Sequence, residues 1–230
     1  PFVEALLHAF LPQKFVDHTH SLALLAIADQ ENSEKICRDI YGSRVAIVPY
    51  VMPGFELSLV AARAYEEAEI EALKTGVKLE GMILLKHGLF SFGNTALESY
   101  ERMVKLVRQA EKCLRNYTPV SFVNQKQNSK ILSPSTVLPF LRGALGRVAL
   151  NKQSSRRWLL EFRVNPLILD LVNDDHLVDW AGRGVATPDH VIRTKAYPLV
   201  LKKPPEITDE DHCNFSNEIN SWKASVEDSL

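Results

Sequence analysis

Apolar positions along the chain fall into runs of two kinds. Over residues 2–11, Phe2, Val3, Leu6, Leu7 and Phe10 recur at helical spacing, and Pro12 ends the run. From Phe15 to His20 the pattern alternates instead. That predicts a strand with Phe15 and Asp17 on one side of the pleat and Val16, His18 and His20 on the other. Leu22, Leu24, Leu25 and Ile27 predict a helix over Ser21 to Ala28, and a second short helix is expected from Ser33 to Tyr41, stopped by Gly42. A β-rich run at Arg44 to Val48 leads into Pro49-Tyr50-Val51-Met52-Pro53-Gly54, a loop by its prolines and glycine. Phe55 to Lys74 sets Leu57, Val60, Ala61, Ala64 and Ala68 on one face and acidic residues on the other, an amphipathic helix closed by Gly76. Gly81 to Leu85 and Leu89 to Phe92 are apolar strands separated only by Lys86-His87-Gly88, a hairpin-length junction that predicts antiparallel pairing. Thr95 and Glu98 make a capping box opening a helix to about Leu114, with an expected stripe of Leu97, Tyr100, Val104, Val107, Ala110 and Leu114. Strands alternating with helices argue for an α/β architecture.

The polar stretch Thr118 to Ser135 reads as a surface loop or linker and marks the expected internal boundary. Beyond it the pattern predicts a helix over Val137 to Leu150, interrupted at Gly143 and Gly146, and a strand at Trp158 to Val164. A short helix opened by Pro166 should run to Val172, followed by a loop from Gly182 to His190. After Pro204-Pro205 the chain turns polar, with a loose helix expected at Glu218 to Val226. The resulting division is a core at 1–118, an extension at 119–200 and a polar tail or linker at 201–230.

Composition changes this picture little. The chain has 230 residues, 46% of them hydrophobic, and its 27 basic and 28 acidic residues leave a formal net charge of -1. Neither a nucleic-acid surface nor an anionic membrane surface is indicated by that balance. Cys37, Cys113 and Cys213 are odd in number and widely spaced, which suits a reducing cytoplasm. The chain opens at Pro1, without methionine and already in a helical pattern, so it reads as part of a longer protein.

The candidate chemistry lies in the histidines. His18 and His20, two apart on a strand, share a face, and His87 ends another strand beside a glycine that permits close approach. Three imidazoles leave a tetrahedral ion one open position, the catalytic rather than the structural arrangement. Zn²⁺ suits them, and Co²⁺, Ni²⁺ or Fe²⁺ would also accept this ligand type. Glu4 and His8, four apart, share a helical face.

Glu4-x-x-x-His8 ahead of His18-Thr19-His20, the Pro49-to-Gly54 loop, and Gly81-Met82-Ile83-Leu84-Leu85-Lys86-His87-Gly88 before a capped helix together resemble the class II aldolase/adducin family. The resemblance covers roughly residues 1 to 116. It implies a three-layer αβα fold with a mixed, partly antiparallel sheet, here incomplete at its N-terminus, where the family's phosphate-binding loops would lie. It implies a divalent metal, usually zinc, held by His18, His20 and His87, with Glu4 as the catalytic acid/base and His8 in support. The implied activity is that of an aldolase cleaving a ketose 1-phosphate such as rhamnulose 1-phosphate into a dihydroxyacetone-phosphate-type product and an aldehyde. An epimerase or dehydratase on the same scaffold, and a non-catalytic adducin-like interaction module, are the alternatives. Family relatives are commonly homo-oligomers, tetramers above all.

A second resemblance lies in Gly184-Val185-Ala186-Thr187-Pro188-Asp189-His190-Val191-Ile192-Arg193-Thr194-Lys195, which is similar to a segment of larger proteins that fuse a class II aldolase-like domain to a short-chain dehydrogenase. Asp189, His190, Arg193 and Lys195 are therefore candidates to reach the metal site or bind an anionic substrate. The alternative is that they cap and bridge a packed loop.

Overall fold

The structure is a computed structural model and describes residues 5–117, 133–150, 158–201 and 209–227. Two compact units result: residues 1–119 together with 186–192, and residues 120–185 together with 193–230.

The first unit runs α1 (Ala5–Phe10), β1 (Phe15–Thr19), α2 (Leu22–Ala28), α3 (Ser33–Tyr41), β2 (Val45–Val48), α4 (Phe55–Thr75), β3 (Gly81–Leu84), β4 (Gly88–Gly93) and α5 (Ala96–Leu114). The sheet order is β1-β4-β3-β2. β4 is antiparallel to both neighbours, whereas β2 joins β3 in parallel through the α4 crossover. Alternation along the strands then sorts side chains into two cores. On one face Val45, Ile83 and Leu89 pack with Leu24, Ile27, Cys37 and Tyr41 of α2 and α3 and with Met103, Leu106 and Ala110 of α5. On the other, Ala46, Val48, Met82, Leu84, Phe90 and Phe92 pack with Leu7 of α1 and with Leu57, Ala61 and Tyr65 of α4. The result is the expected three-layer αβα sandwich on a mixed sheet.

The ends of the elements follow from local chemistry. Gly76 adopts the left-handed conformation (φ 67°) that closes α4. Thr95 Oγ1 accepts from the Glu98 amide at 3.1 Å, and Glu98 Oε2 accepts from the Asn94 amide at 2.7 Å. Lys78 and Arg102 add charge-assisted bonds to the same carboxylate, which is held at a pKa of about 2, foremost by the Asn94 amide. Cys37 behaves as a small hydrophobe: burial pushes its thiol up to about 11.

The α5 stripe is rotated from the expected one. Leu97 and Tyr100 are exposed, and Ser99, Met103 and Leu106 face the sheet beside Ala110, Val107 and Leu114, which pack there as expected. Close approach selects that face. A Cβ on Gly93 would lie 2.5 Å from the Ser99 amide nitrogen, and Ser91 and Ser99 exchange side-chain-to-carbonyl hydrogen bonds across the contact.

In the second unit, α6 (Pro134–Leu150) continues through Gly143 and Gly146 without the expected interruption. α7 (Pro166–Val172) starts where Pro166 predicts, capped by Asn165, whose Oδ1 accepts from the Ile168 amide at 2.8 Å. α8 (Leu177–Ala181) follows. The expected strand at Trp158 to Val164 does not form. Those residues are mostly exposed, with Leu159 92% accessible, and no described strand pairs with them. An unpaired extended segment has neither ladder hydrogen bonds nor a face to bury. The expected loop from Gly182 to His190 ends in a helix, α9 (Pro188–Arg193), which belongs to the first unit as far as Ile192 and which Thr187 caps by accepting from the His190 amide at 3.3 Å. The last helix, α10 (Asp209–Glu227), is longer than expected and not loose: Phe215 and Ile219 bury against Phe140 and Ala144 of α6. The Thr118-to-Ser135 linker lies almost wholly outside the described residues. Among the described residues no helix is long and apolar enough to cross a membrane.

The Glu98 contacts predict a pH dependence of stability. A carboxyl whose folded pKa of about 2 lies below its ordinary 4.5 contributes stability above pH 4.5, and loses it as pH falls toward 2. In thermal unfolding, wild type should exceed Glu98→Gln in midpoint above pH 5, with the gap closing as pH approaches 2.

Candidate metal centre

β1 and β4 bring the site together. Their register sets His18 opposite Phe90 and Thr19 opposite Leu89, so the end of β1 lies against the start of β4. The His18 ring stacks on Phe90 with centroids 4.1 Å apart and planes 17° from parallel. His87 sits in the turn between β3 and β4, its amide donating to the Leu84 carbonyl at 3.1 Å, and its side chain is 3% exposed. The preceding residue, Lys86, takes a left-handed φ of 60°, a conformation that costs a residue with a Cβ about 1 kcal/mol or more. Its charge also opposes the effect of burial on Asp29, whose carboxyl is raised, chiefly by desolvation.

Among the described residues, His18, His20 and His87 form a cluster in which one donor atom from each lies within 4.8 Å of the others. Their ring centroids are 4.7, 5.4 and 5.2 Å apart, all within one small triangle. His18 Nδ1 donates to the Leu89 carbonyl at 3.0 Å, and His20 Nδ1 donates to Asp189 Oδ2 at 2.8 Å. Both acceptors lack a proton to give, so these bonds assign the ring hydrogens to Nδ1 and turn the two Nε2 lone pairs outward. Those Nε2 atoms lie 3.0 Å apart.

Two lone pairs at that separation repel unless they share a cation, either a proton or a metal ion. Two imidazole nitrogens on one tetrahedral ion, each about 2.0–2.1 Å from it, stand about 3.3 Å apart. The donor set therefore fits a divalent ion that accepts imidazole, with His87 as the third donor. The three residues singled out from the sequence are brought together here.

Gly88 makes the convergence sterically feasible. A Cβ there would lie 2.7 Å from the Thr19 carbonyl oxygen, 2.9 Å from His18 Cε1 and 2.9 Å from His20 Cδ2. The expected close approach beside His87 is thus made by the end of β1 and the rings of His18 and His20.

The other candidates separate. Glu4 lies outside the described residues. His8 is exposed on α1, its ring 5.7 Å from that of Phe90. Asp189 reaches His20 directly, while His190 is exposed and hydrogen-bonds to the Thr187 hydroxyl of its own turn. Arg193 and Lys195 belong to the second unit and are exposed. Sequence reasoning passed over Phe90 and the Leu89 carbonyl. Only the β1–β4 register identifies them, and no local signal carries it.

A mixed αβα sandwich with three histidines gathered at a β-hairpin turn defines a candidate metal-dependent enzyme. Residues 2–114 match the family described as Class II Aldolase and Adducin N-terminal domain, and residues 133–227 match that described as Aldolase class II, second domain. The chain belongs to the class II aldolase/adducin family. It is 32% identical over 221 residues to a Bacillus subtilis (strain 168) protein named uncharacterized oxidoreductase YuxG, an alignment covering 91% of this chain and 29% of that protein. The chain thus spans less than a third of this curated relative. Among solved structures, the N-terminal class II aldolase domain of a conserved protein from Thermoplasma acidophilum is 39% identical, over 50% of this chain and 49% of that one, with a TM-score of 0.40. A sugar-phosphate aldolase from Thermotoga maritima is 21% identical over 51% and 56%, also with a TM-score of 0.40.

Gly88→Ala should destabilise the protein by about 1–3 kcal/mol, as overpacking of a close contact does. Gly143→Ala serves as the control, since a Cβ there meets nothing within 4 Å and replacing a mid-helix glycine gains up to about 1 kcal/mol. Urea unfolding of the two variants should therefore move in opposite directions.

Proposed function

We propose that this chain is the aldolase part of a metal-dependent carbon–carbon lyase acting on a ketose 1-phosphate, with rhamnulose 1-phosphate the leading candidate. The products would be a dihydroxyacetone-phosphate-type ketone and an aldehyde. The observation that supports it most is the convergence of His18, His20 and His87, with two Nε2 atoms 3.0 Å apart, inside a class II aldolase domain.

When bound, a divalent ion, Zn²⁺ in the first instance and Co²⁺, Ni²⁺ or Fe²⁺ otherwise, would supply Lewis-acid polarisation of the substrate carbonyl and stabilisation of the negative charge left by bond cleavage. The protein's own groups do the rest. His18, His20 and His87 would hold the ion; the Leu89 carbonyl keeps the His18 proton on Nδ1, and the stacked Phe90 fixes the orientation of that ring. Glu4 would move protons to and from the reacting carbon or oxygen, a role implied by its place in the Glu-x-x-x-His motif.

We further propose a cytoplasmic homo-oligomer, with the small sugar phosphate rather than nucleic acid or membrane as its partner. The alignment with less than a third of an oxidoreductase-named relative supports the reading that a dehydrogenase is fused to this part in the whole protein.

Retro-aldol cleavage followed by coupled detection of the ketone product tests the proposal. Chelation should abolish turnover and added Zn²⁺ should restore it, and Glu4→Gln should lower kcat roughly 10²- to 10⁴-fold while zinc binding persists. Undiminished cleavage by metal-free protein would refute the mechanism.

A further inference from the structure

The second stretch of the chain reaches into the histidine cluster at one point. Segment 186–192 lies within the residues matched by the second-domain description, yet it belongs to the first compact unit. Thr187 is 6% exposed and caps α9, Pro188 starts the helix, and Asp189 projects from its first turn. Asp189 Oδ2 lies 2.8 Å from His20 Nδ1, across a sequence separation of 169 residues.

The geometry points to Asp189 as a positioning residue that fixes the tautomer and ring orientation of His20 so that Nε2 faces the metal position. This inference rests on the proposed metal reading. A carboxylate can only accept at this contact, so the ring proton stays on Nδ1 and the lone pair on Nε2. Removing the acceptor frees the ring to rotate and to exchange tautomers. Outer carboxylates of this kind typically change metal affinity 10- to 100-fold. The Asp189 side chain is half exposed, at 49%, so its contribution is mainly directional, with its charge screened by water.

Coupling between two binding events is reciprocal. If Asp189 strengthens metal binding, then the metal strengthens the hold of residues 186–192 on the first unit.

The test uses the full 230-residue chain and Zn²⁺ alone. Affinity is read by competition with a chromophoric chelator, His20 ring nitrogen shifts by NMR in the metal-free protein, and amide exchange over residues 187–192 with and without zinc. Wild-type His20 should carry its proton on Nδ1. Asp189→Ala should weaken zinc binding roughly 10- to 100-fold and let His20 populate both tautomers, with Asp189→Asn between, because its amide oxygen still accepts. Zinc should slow exchange over 187–192 in wild type and not in Asp189→Ala. Wild-type zinc affinity in Asp189→Ala, or a wild-type His20 protonated on Nε2, overturns the positioning role. The ring shifts of wild type carry that decision alone if Asp189→Ala does not fold. His20→Ala separates the two readings: zinc affinity unchanged in that variant overturns the metal centre itself, whereas affinity lost there but kept in Asp189→Ala overturns only the role of Asp189.

Discussion

The antiparallel contact between the end of β1 and the start of β4 is the constraint on which the site depends. Two imidazoles lie over a backbone position that tolerates no Cβ, and one of them stacks on the phenylalanine directly across the ladder. Backbone pairing, a missing side chain and an aromatic platform thus act on the same few atoms. Because β4 is flanked on both sides, that register is tied to the apolar alternation of β3 as well, and slipping by one residue would turn Phe90 and Phe92 out of their core. Geometry of the histidine pair is therefore set by the packing of the whole sandwich.

Strain and polarity are concentrated on the same side of the sheet ladder's end. The left-handed Lys86 and the nearly inaccessible His87 occupy consecutive positions in a turn whose neighbours on both strands are core residues. A turn of easier backbone geometry would aim the imidazole elsewhere. Strain of this sort persists only where surrounding packing determines the conformation, as the buried β3 and β4 do here.

Much of the fold was legible because its signals are local. Alternation at Phe15 to His20, Gly42 and Gly76 as helix stops, the Thr95–Glu98 cap and Pro166 as a helix start each act within a few residues, and each element formed within a residue or two of its expected bounds. What failed was decided at a distance. Apolar residues of α5 offer two overlapping stripes, and the choice fell to the serine that fits beneath Gly93, information held on a different element. Trp158 to Val164 has the composition of a strand but no partner strand among the described residues, and α10 gains its order from Phe140 and Ala144 far upstream. For the site, His-x-His and His-Gly were readable from spacing. Phe90, the Leu89 carbonyl and the particular reach of Asp189 were not, since each depends on three-dimensional neighbours.

The segment at 186–192 gives domain bookkeeping an unusual form here. Contiguous halves of the sequence and compact bodies in space do not coincide, since a short helical insert encoded in the later stretch is housed with the earlier one. Substitutions accumulating in the later stretch therefore have a route to the histidines that leaves all three of them unchanged. Two chains with identical histidine triads can differ in how firmly those rings are aimed, and a chimaera joining the halves of different relatives would inherit the His20–Asp189 contact from its second parent.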